Sequence, residues 1–142
     1  MKKFTKHEAR PLPALPRGEM ASGPIAYLDI ETTGLSAHDS QVTVVGLVFA
    51  HRGGRTLEQY FVESPGDEAV VLRTVRRALR RFSGFVTYNG QGFDFPYLRV
   101  RASEHGLPWS WLDGLDLLRV ARQWNRSAGE LDNCRLDAVW SD

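Results

Sequence analysis

The sequence holds one cysteine in 142 residues, so it forms no intrachain disulfide. A reducing, cytoplasmic setting, or indifference to redox, is the expectation. Its longest apolar stretch, Val42–Ala50, is broken by Thr43 and Gly46, far short of the ~20 residues that span a bilayer. Met1-Lys2-Lys3 is not followed by the apolar run of a signal peptide. No Cys/His spacing suits zinc, and neither a Gly-x-Gly-x-x-Gly turn nor a P-loop is present. Net charge is also missing: 18 Lys+Arg against 17 Asp+Glu leave +1, which gives no bulk attraction to polyanions.

What is present is the composition of a globular protein, 42% hydrophobic and 25% charged, at a length that fits one domain. The charge is uneven. Residues 1–19 carry Lys2, Lys3, Lys6, Arg10 and Arg17 against Glu8 and Glu19, a net +3 that leaves −2 for the rest. Pro11, Pro13 and Pro16 fall in the same stretch and forbid a helix or a central strand. Residues 1–24 therefore read as an extended, Pro-rich basic leader, either solubilising or a weak phosphate-binding arm, and residues 25–142 as the folded domain.

Within that domain Ile25–Ile30 is a short apolar run that leads into the turn residues Thr32-Thr33-Gly34, the pattern of a strand. Gln41–Ala50 is apolar on both faces and predicts a central strand. His51-Arg52-Gly53-Gly54 marks a turn, and the alternation over Thr56–Val62 predicts an antiparallel third strand. Ser64-Pro65-Gly66-Asp67 has the chemistry of a helix start. Val71, Leu72, Val75, Ala78, Leu79 and Phe82 recur at helical spacing, which predicts a helix over 66–82. Its other face carries Arg73, Arg76, Arg77, Arg80 and Arg81, a solvated face or a stripe that tracks phosphates. A strand at 84–88, a tight loop Asn89-Gly90-Gln91-Gly92, a helix over 94–105 and a strand at 112–115 follow. Asp116 is placed to cap the next helix, and Asp132 or Asn133 to start another. The sum is an α/β domain with a mixed sheet.

Asp29 and Glu31 end the first strand two residues apart, so both carboxylates lie on one face, with Leu28 and Ile30 on the other. Two carboxylates a few Å apart repel by about 4 kcal/mol at an effective dielectric of 20. A proton, a basic side chain or a hard cation such as Mg²⁺ or Mn²⁺ offsets that repulsion. Asp-x-Glu alone is weak evidence, since nine Asp and eight Glu produce it readily by chance. The loop Tyr88–Gly92 carries glycines on both sides of Gln91, which lets backbone approach a ligand closely. Asp94 falls at a helix start, where a carboxylate is favoured as a cap.

Taken together, these segments resemble a known family. Leu28-Asp29-Ile30-Glu31-Thr32-Thr33-Gly34-Leu35 resembles the first motif of the DEDD-type 3′–5′ exonucleases, the DnaQ-like branch of the ribonuclease H fold. Asn89 through Leu98 resembles the second motif. The form Tyr-Asn-Gly…Phe-Asp-x-Pro-x-Leu, followed by Leu115-Asp116-Leu117-Leu118 and Cys134-Arg135-Leu136, is most similar to the bacterial YprB-type domains. The resemblance implies a ribonuclease H-like fold, a mixed sheet flanked by helices. It implies that Asp29, Glu31 and Asp94 are catalytic ligands of two divalent ions, Mg²⁺ or Mn²⁺. It further implies phosphodiester hydrolysis at the 3′ end of DNA or RNA. Thr32, Gly34, Leu35, Asn89 and Phe93 take substrate-binding roles, the last two by positioning the loop. Asp116 has a family counterpart outside the metal set, orienting or capping.

The family's third motif, a helix with a general base and a fourth Asp, lies downstream of the Cys-Arg-Leu region. None of His7, His38, His51 or His105 stands four residues before an Asp in a C-terminal helix. Two further expectations follow. A partner chain or a second copy supplies the missing helix, or the chain is a nucleic-acid-binding module without hydrolysis. Cys134 reads as a buried core residue, and His105 as a surface residue at a helix end.

Overall fold

A computed structural model describes residues 1–13, 23–110, 112, 114–129 and 133–136. Six strands form one mixed sheet: β1 Lys2–Glu8, β2 Ile25–Thr32, β3 Val42–His51, β4 Gly54–Phe61, β5 Gly84–Thr87 and β6 Gly114–Asp116. Their order is β1-β4-β3-β2-β5-β6. The first four strands pair antiparallel, while β5 runs parallel to both β2 and β6. Helices α1 Glu68–Leu79, α2 Asp94–Glu104 and α3 Leu117–Ala128 complete the domain, with a short 3₁₀ turn at Pro65–Asp67.

The β3–β4 connection is a two-residue hairpin closed by the His51–Gly54 pair. Arg52 (φ 47°) and Gly53 (φ 78°) are both left-handed, the turn whose twist matches that of the strands. Alternate β2 residues Ala26, Leu28 and Ile30 are buried with Val71, Leu72, Val75 and Leu79 of α1 and Leu98 of α2. The 3.6-residue stripe read from the sequence is thus the face α1 buries. Asp29 and Glu31, on the other face of β2, are exposed.

Three features differ from expectation. The leader is not wholly outside the fold: Lys2–Glu8 pairs along the full length of β4 as an edge strand. It ends before Pro11, which could not continue the ladder. Lysines suit an exposed edge, because they discourage pairing with further chains. Lys3 bonds Glu58 at 2.9 Å, and the terminal amine lies 3.1 Å from Asp67. The basic excess here is therefore partly used inside the protein.

In β4 it is Thr56, Glu58 and Tyr60 that are buried, while Leu57 and Phe61 are only half-buried. Glu58 is tolerated there because Arg81 (2.5 Å), Lys3 and the Tyr60 hydroxyl (2.6 Å) all donate to it. Arg81 thereby leaves the free arginine face of α1, and it also stacks on Phe49 and Phe82. Cys134 is half-exposed instead of buried, its carbonyl accepting from the Tyr88 hydroxyl. The helical start expected at Asp132 or Asn133, with Val139 and Trp140, lies largely outside the described residues. Among the described residues no helix is long and apolar enough to cross a membrane.

Candidate active site

β2 outruns its parallel neighbour. Its pairing with β5 ends at Tyr27–Val86, so the backbone of Asp29, Ile30 and Glu31 is free of β5. The vacated edge is taken by the N-terminus of α2. The Ile30 N–H donates to Asp94 Oδ1 at 3.1 Å, across 64 residues of sequence. This bond sits between Asp29 and Glu31 in the chain. Asp94 is therefore more than a helix cap: no side-chain cap bond is made at the start of α2. On its other side the register with β3 shifts between Glu31 and Thr32, Thr43 being the extra residue on β3, a bulge of the kind common beside active sites.

The carboxylates feel one another. Asp94 is 3% exposed, and burial first, then the charge of Asp29, push its pKa up to about 7. Bonds from Ile30 and from its own amide resist that shift, and Asp116 adds to it. Asp29 is raised above its ordinary value by desolvation, then by Glu31. The electrostatics ask for positive charge at this edge.

The loop after β2 is anchored by α2. Thr32 Oγ1 (2.9 Å) and the Tyr97 hydroxyl (3.1 Å) both donate to the Gly34 carbonyl. Arg101 Nη1 donates to the Ala37 carbonyl at 3.0 Å. Arg101 is in turn fixed by Glu68, which is fully buried and also accepts from the Val42 N–H at 2.9 Å. His105 Nε2 lies 2.7 Å from the same carboxylate, so His105 is a member of this brace, not a surface residue at a helix end. Burial pushes Glu68 up, but the bonds from Arg101 and His105 hold it below its ordinary value. Leu35, at the tip of the loop, is 88% exposed.

Asp116 fixes the second loop. Its Oδ1 accepts from the N–H of Asn89 (2.8 Å) and of Leu118 (3.0 Å), and its Oδ2 from that of Gln91 (3.2 Å). One buried carboxylate thus caps α3 and ties down the loop that launches α2. Asn89 holds the left-handed φ of 65°, and its carbonyl accepts from Gly92 and Phe93. A Cβ on Gly90 would lie 2.3 Å from Thr87 Oγ1, so only glycine fits. Phe93 packs against Tyr97 with ring centroids 5.3 Å apart.

The structure thus brings Asp29 and Asp94 together, with Glu31 beside Asp29. Thr32 ends β2; Gly34, Leu35, Asn89 and Phe93 lie on the two flanking loops, and Asp116 behind them. The donor chemistry, hard carboxylate oxygens whose repulsion raises Asp29 and Asp94, fits Mg²⁺ or Mn²⁺. Among the described residues, however, no three His, Cys, Asp or Glu side chains are gathered for a metal ion. Reasoning from sequence missed the brace of Glu68, Arg101 and His105. The spacing Asp94, Tyr97, Arg101, His105 (i, i+3, i+7, i+11) places all four along one side of α2 and could have pointed to it.

Comparison with known proteins adds the relationship. A family model described as the RNase_H superfamily matches residues 26–140. No curated protein sequence matches. Among solved structures, Escherichia coli exonuclease I in complex with a dT13 oligonucleotide superimposes with a TM-score of 0.65 at 16% identity, over 82% of this chain and 35% of that one. Apo exonuclease I gives 0.68 at 15% identity, over 83% and 36%. The product-bound enzyme gives 0.67 at 15%, over 82% and 37%. At such identities the likeness is one of fold, and the chain spans little more than a third of those structures' length.

Proposed function

The chain belongs to the RNase_H superfamily, and from that premise we propose that it is a metal-dependent nuclease domain of the DEDD type, akin to the YprB-type domains. Its substrate is the 3′ end of a nucleic acid, DNA or RNA. The observation that carries this reading is the Ile30 N–H to Asp94 bond, which seats the second-motif acid against the strand that bears Asp29 and Glu31. Nucleic acid as the partner is supported by the oligonucleotide bound to exonuclease I, a protein of the same fold.

Asp29, Glu31 and Asp94 would hold the ions. Divalent ions held there would supply Lewis-acid charge for phosphodiester hydrolysis. The chain's own residues do the rest. Asp94, part-protonated near neutral pH, gives up its proton as positive charge arrives. The Thr32–Leu35 loop, pinned through Gly34 by Tyr97, presents the exposed Leu35 to the terminal base. Asn89 and Phe93 hold the opposite loop rigid through Asp116, so that the scissile phosphate meets a preformed edge.

A second reading is favoured by one observation, the absence of a gathered three-ligand cluster among the described residues. On that reading the chain binds nucleic acid without cleaving it, or is completed by a partner chain or second copy that supplies a further Asp. Digestion of a 5′-labelled oligonucleotide with Mg²⁺ or Mn²⁺ separates these readings. Wild type is expected to shorten it from the 3′ end and Asp94→Ala to leave it intact. Binding without hydrolysis, even with excess Mn²⁺, selects the second reading. Equal digestion by Asp94→Ala refutes the site.

A further inference from the structure

Two sets of arginines in this protein differ in their surroundings. Arg55, Arg81 and Arg101 each contact an acid, Glu8, Glu58 and Glu68. Arg73, Arg76, Arg77 and Arg80 have no acidic partner among those ion pairs of the described residues. Arg73, Arg76 and Arg77 sit on α1 and Arg80 at its C-cap, spaced i, i+3, i+4 and i+7, and the four line a shallow concavity of about 110 Å³ between them. Like charges at these spacings repel, and the helix C-terminus, where Arg76, Arg77 and Arg80 lie, offsets only part of that. Arg76 and Arg80 also border an adjoining cavity of about 310 Å³, whose wall includes Phe82, Phe85 and Trp109, with Ser83 and Ser110 at hand. That volume is at the low end of ligand pockets.

We propose that this face is a second nucleic-acid contact, which grips the backbone of a single strand away from the carboxylate edge. The proposal rests on the reading of that edge as a nucleic-acid site. Four guanidiniums over two turns present forks that suit successive phosphates. Trp109, only partly buried beside them, offers ring surface to a base, which a purely acidic polypeptide would not exploit. Arg119, Arg122 and Arg126 of α3 are also exposed, but they border none of the cavities described above.

Position gives the stripe its consequence. The larger cavity opens where β5 begins, at Ser83 and Phe85, while Asn89 and Asp94 follow its far end. β2 runs alongside, with Ile25 level with Gly84. From Ile25 to Glu31 is about 20 Å at 3.3 Å per residue. A strand of about six nucleotides covers that distance at a stacked spacing of about 3.4 Å. A strand shorter than that can touch the stripe or the edge but not both.

The test is fluorescence anisotropy of the full chain with 5′-labelled 4-mer and 12-mer single strands in EDTA, titrated with salt. Because no turnover occurs, the result stands apart from hydrolysis. The variant Arg73→Gln/Arg76→Gln/Arg77→Gln/Arg80→Gln is expected to bind the 12-mer at least tenfold more weakly. Its log K against log[salt] slope should be shallower by about 2–3, from about 0.7 per lost phosphate contact. Arg77→Gln/Arg80→Gln should give about half that change and is the milder variant should the fourfold one fold poorly. The 4-mer, which cannot span both contacts, should bind wild type more weakly than the 12-mer. An unchanged 12-mer slope in both variants overturns the proposal. So does failure of the wild type to bind the 12-mer, the same loss from Arg119→Gln/Arg122→Gln/Arg126→Gln instead, or stripe-dependent binding of poly-glutamate but not of the 12-mer. A wild type that binds with the stripe's slope yet never cleaves would remove the hydrolytic reading and leave this surface standing.

Discussion

Replacing Asp116 by Ala takes one acceptor away from three backbone N–H groups at once: Asn89, Gln91 and Leu118. The loss of the α3 cap costs about 1 kcal/mol. Each of the two loop bonds accepts into a carboxylate that is 6% exposed, and such bonds are worth about 1.5 kcal/mol or more each. The sum is about 4 kcal/mol, which for a chain of this size lowers Tm by roughly 10–15 °C. Asp116→Asn is the informative comparison. Its remaining oxygen can keep the Asn89 and Leu118 bonds, both made to Oδ1, while its amide faces the Gln91 N–H, donor against donor. That variant should lose only about 1–2 kcal/mol. Urea unfolding followed by Trp fluorescence measures both. Hydrogen exchange at Asn89 and Gln91 should rise in the Ala variant, and oligonucleotide digestion should fall with it. If Asp116→Ala costs less than about 0.5 kcal/mol, or Asn costs as much as Ala, the carboxylate is not what holds the loop.

Three further outcomes follow from the structure. Asp94 is raised to about 7 from an ordinary value of 3.8, so between those pH values the folded state holds a proton that the unfolded state has lost. Stability falls as pH rises through that window, by on the order of 4 kcal/mol. Asp94→Asn should thus be inactive yet more stable than wild type at pH 8 and equal to it near pH 3.5; a wild-type melting curve indifferent to pH between 4 and 7 would sink this. Glu58 behaves oppositely, being held at about 2 against an ordinary 4.5: burial opposes the shift and Arg81, Tyr60 and Lys3 produce it. Its contribution, about 3 kcal/mol, is complete above pH 4.5 and disappears as pH falls toward 2; acid unfolding of Glu58→Gln should lack that component. Gly90→Ala places a methyl 2.3 Å from Thr87 Oγ1 and should cost about 1–3 kcal/mol by denaturation, with reduced digestion because the Asn89–Phe93 loop shifts.

The local elements were legible because they are written in short-range chemistry. The period-2 run at Ile25–Ile30, the apolar stripe of α1, the glycines of the 51–54 turn and the capping Asp116 each depend on residues within a few positions. The α/β mixed sheet followed from their order, while its ribonuclease H-like character and the two motifs that flank the site came from the resemblance to a known family. The edge strand Lys2–Glu8 did not, since nothing in its own residues demands burial. It is defined by the free hydrogen-bonding edge of β4, whose paired residues run from Arg55 to Phe61, far along the chain. Nor could spacing reveal that Glu58 is buried, or that Arg81 leaves the arginine face to meet it.

The sequence by itself determined which acids are available, Asp29, Glu31 and Asp94, and on which elements they ride. Only the tertiary structure decided what those acids are. Its parallel pairing stops at Tyr27–Val86 and leaves Ile30 N–H for Asp94. Burial there turns an ordinary helix-start aspartate into a carboxyl raised to about 7. The physical reason is that charge, desolvation and hydrogen bonding at a site are sums over neighbours in space, and 64 residues of chain separate the two partners that matter most.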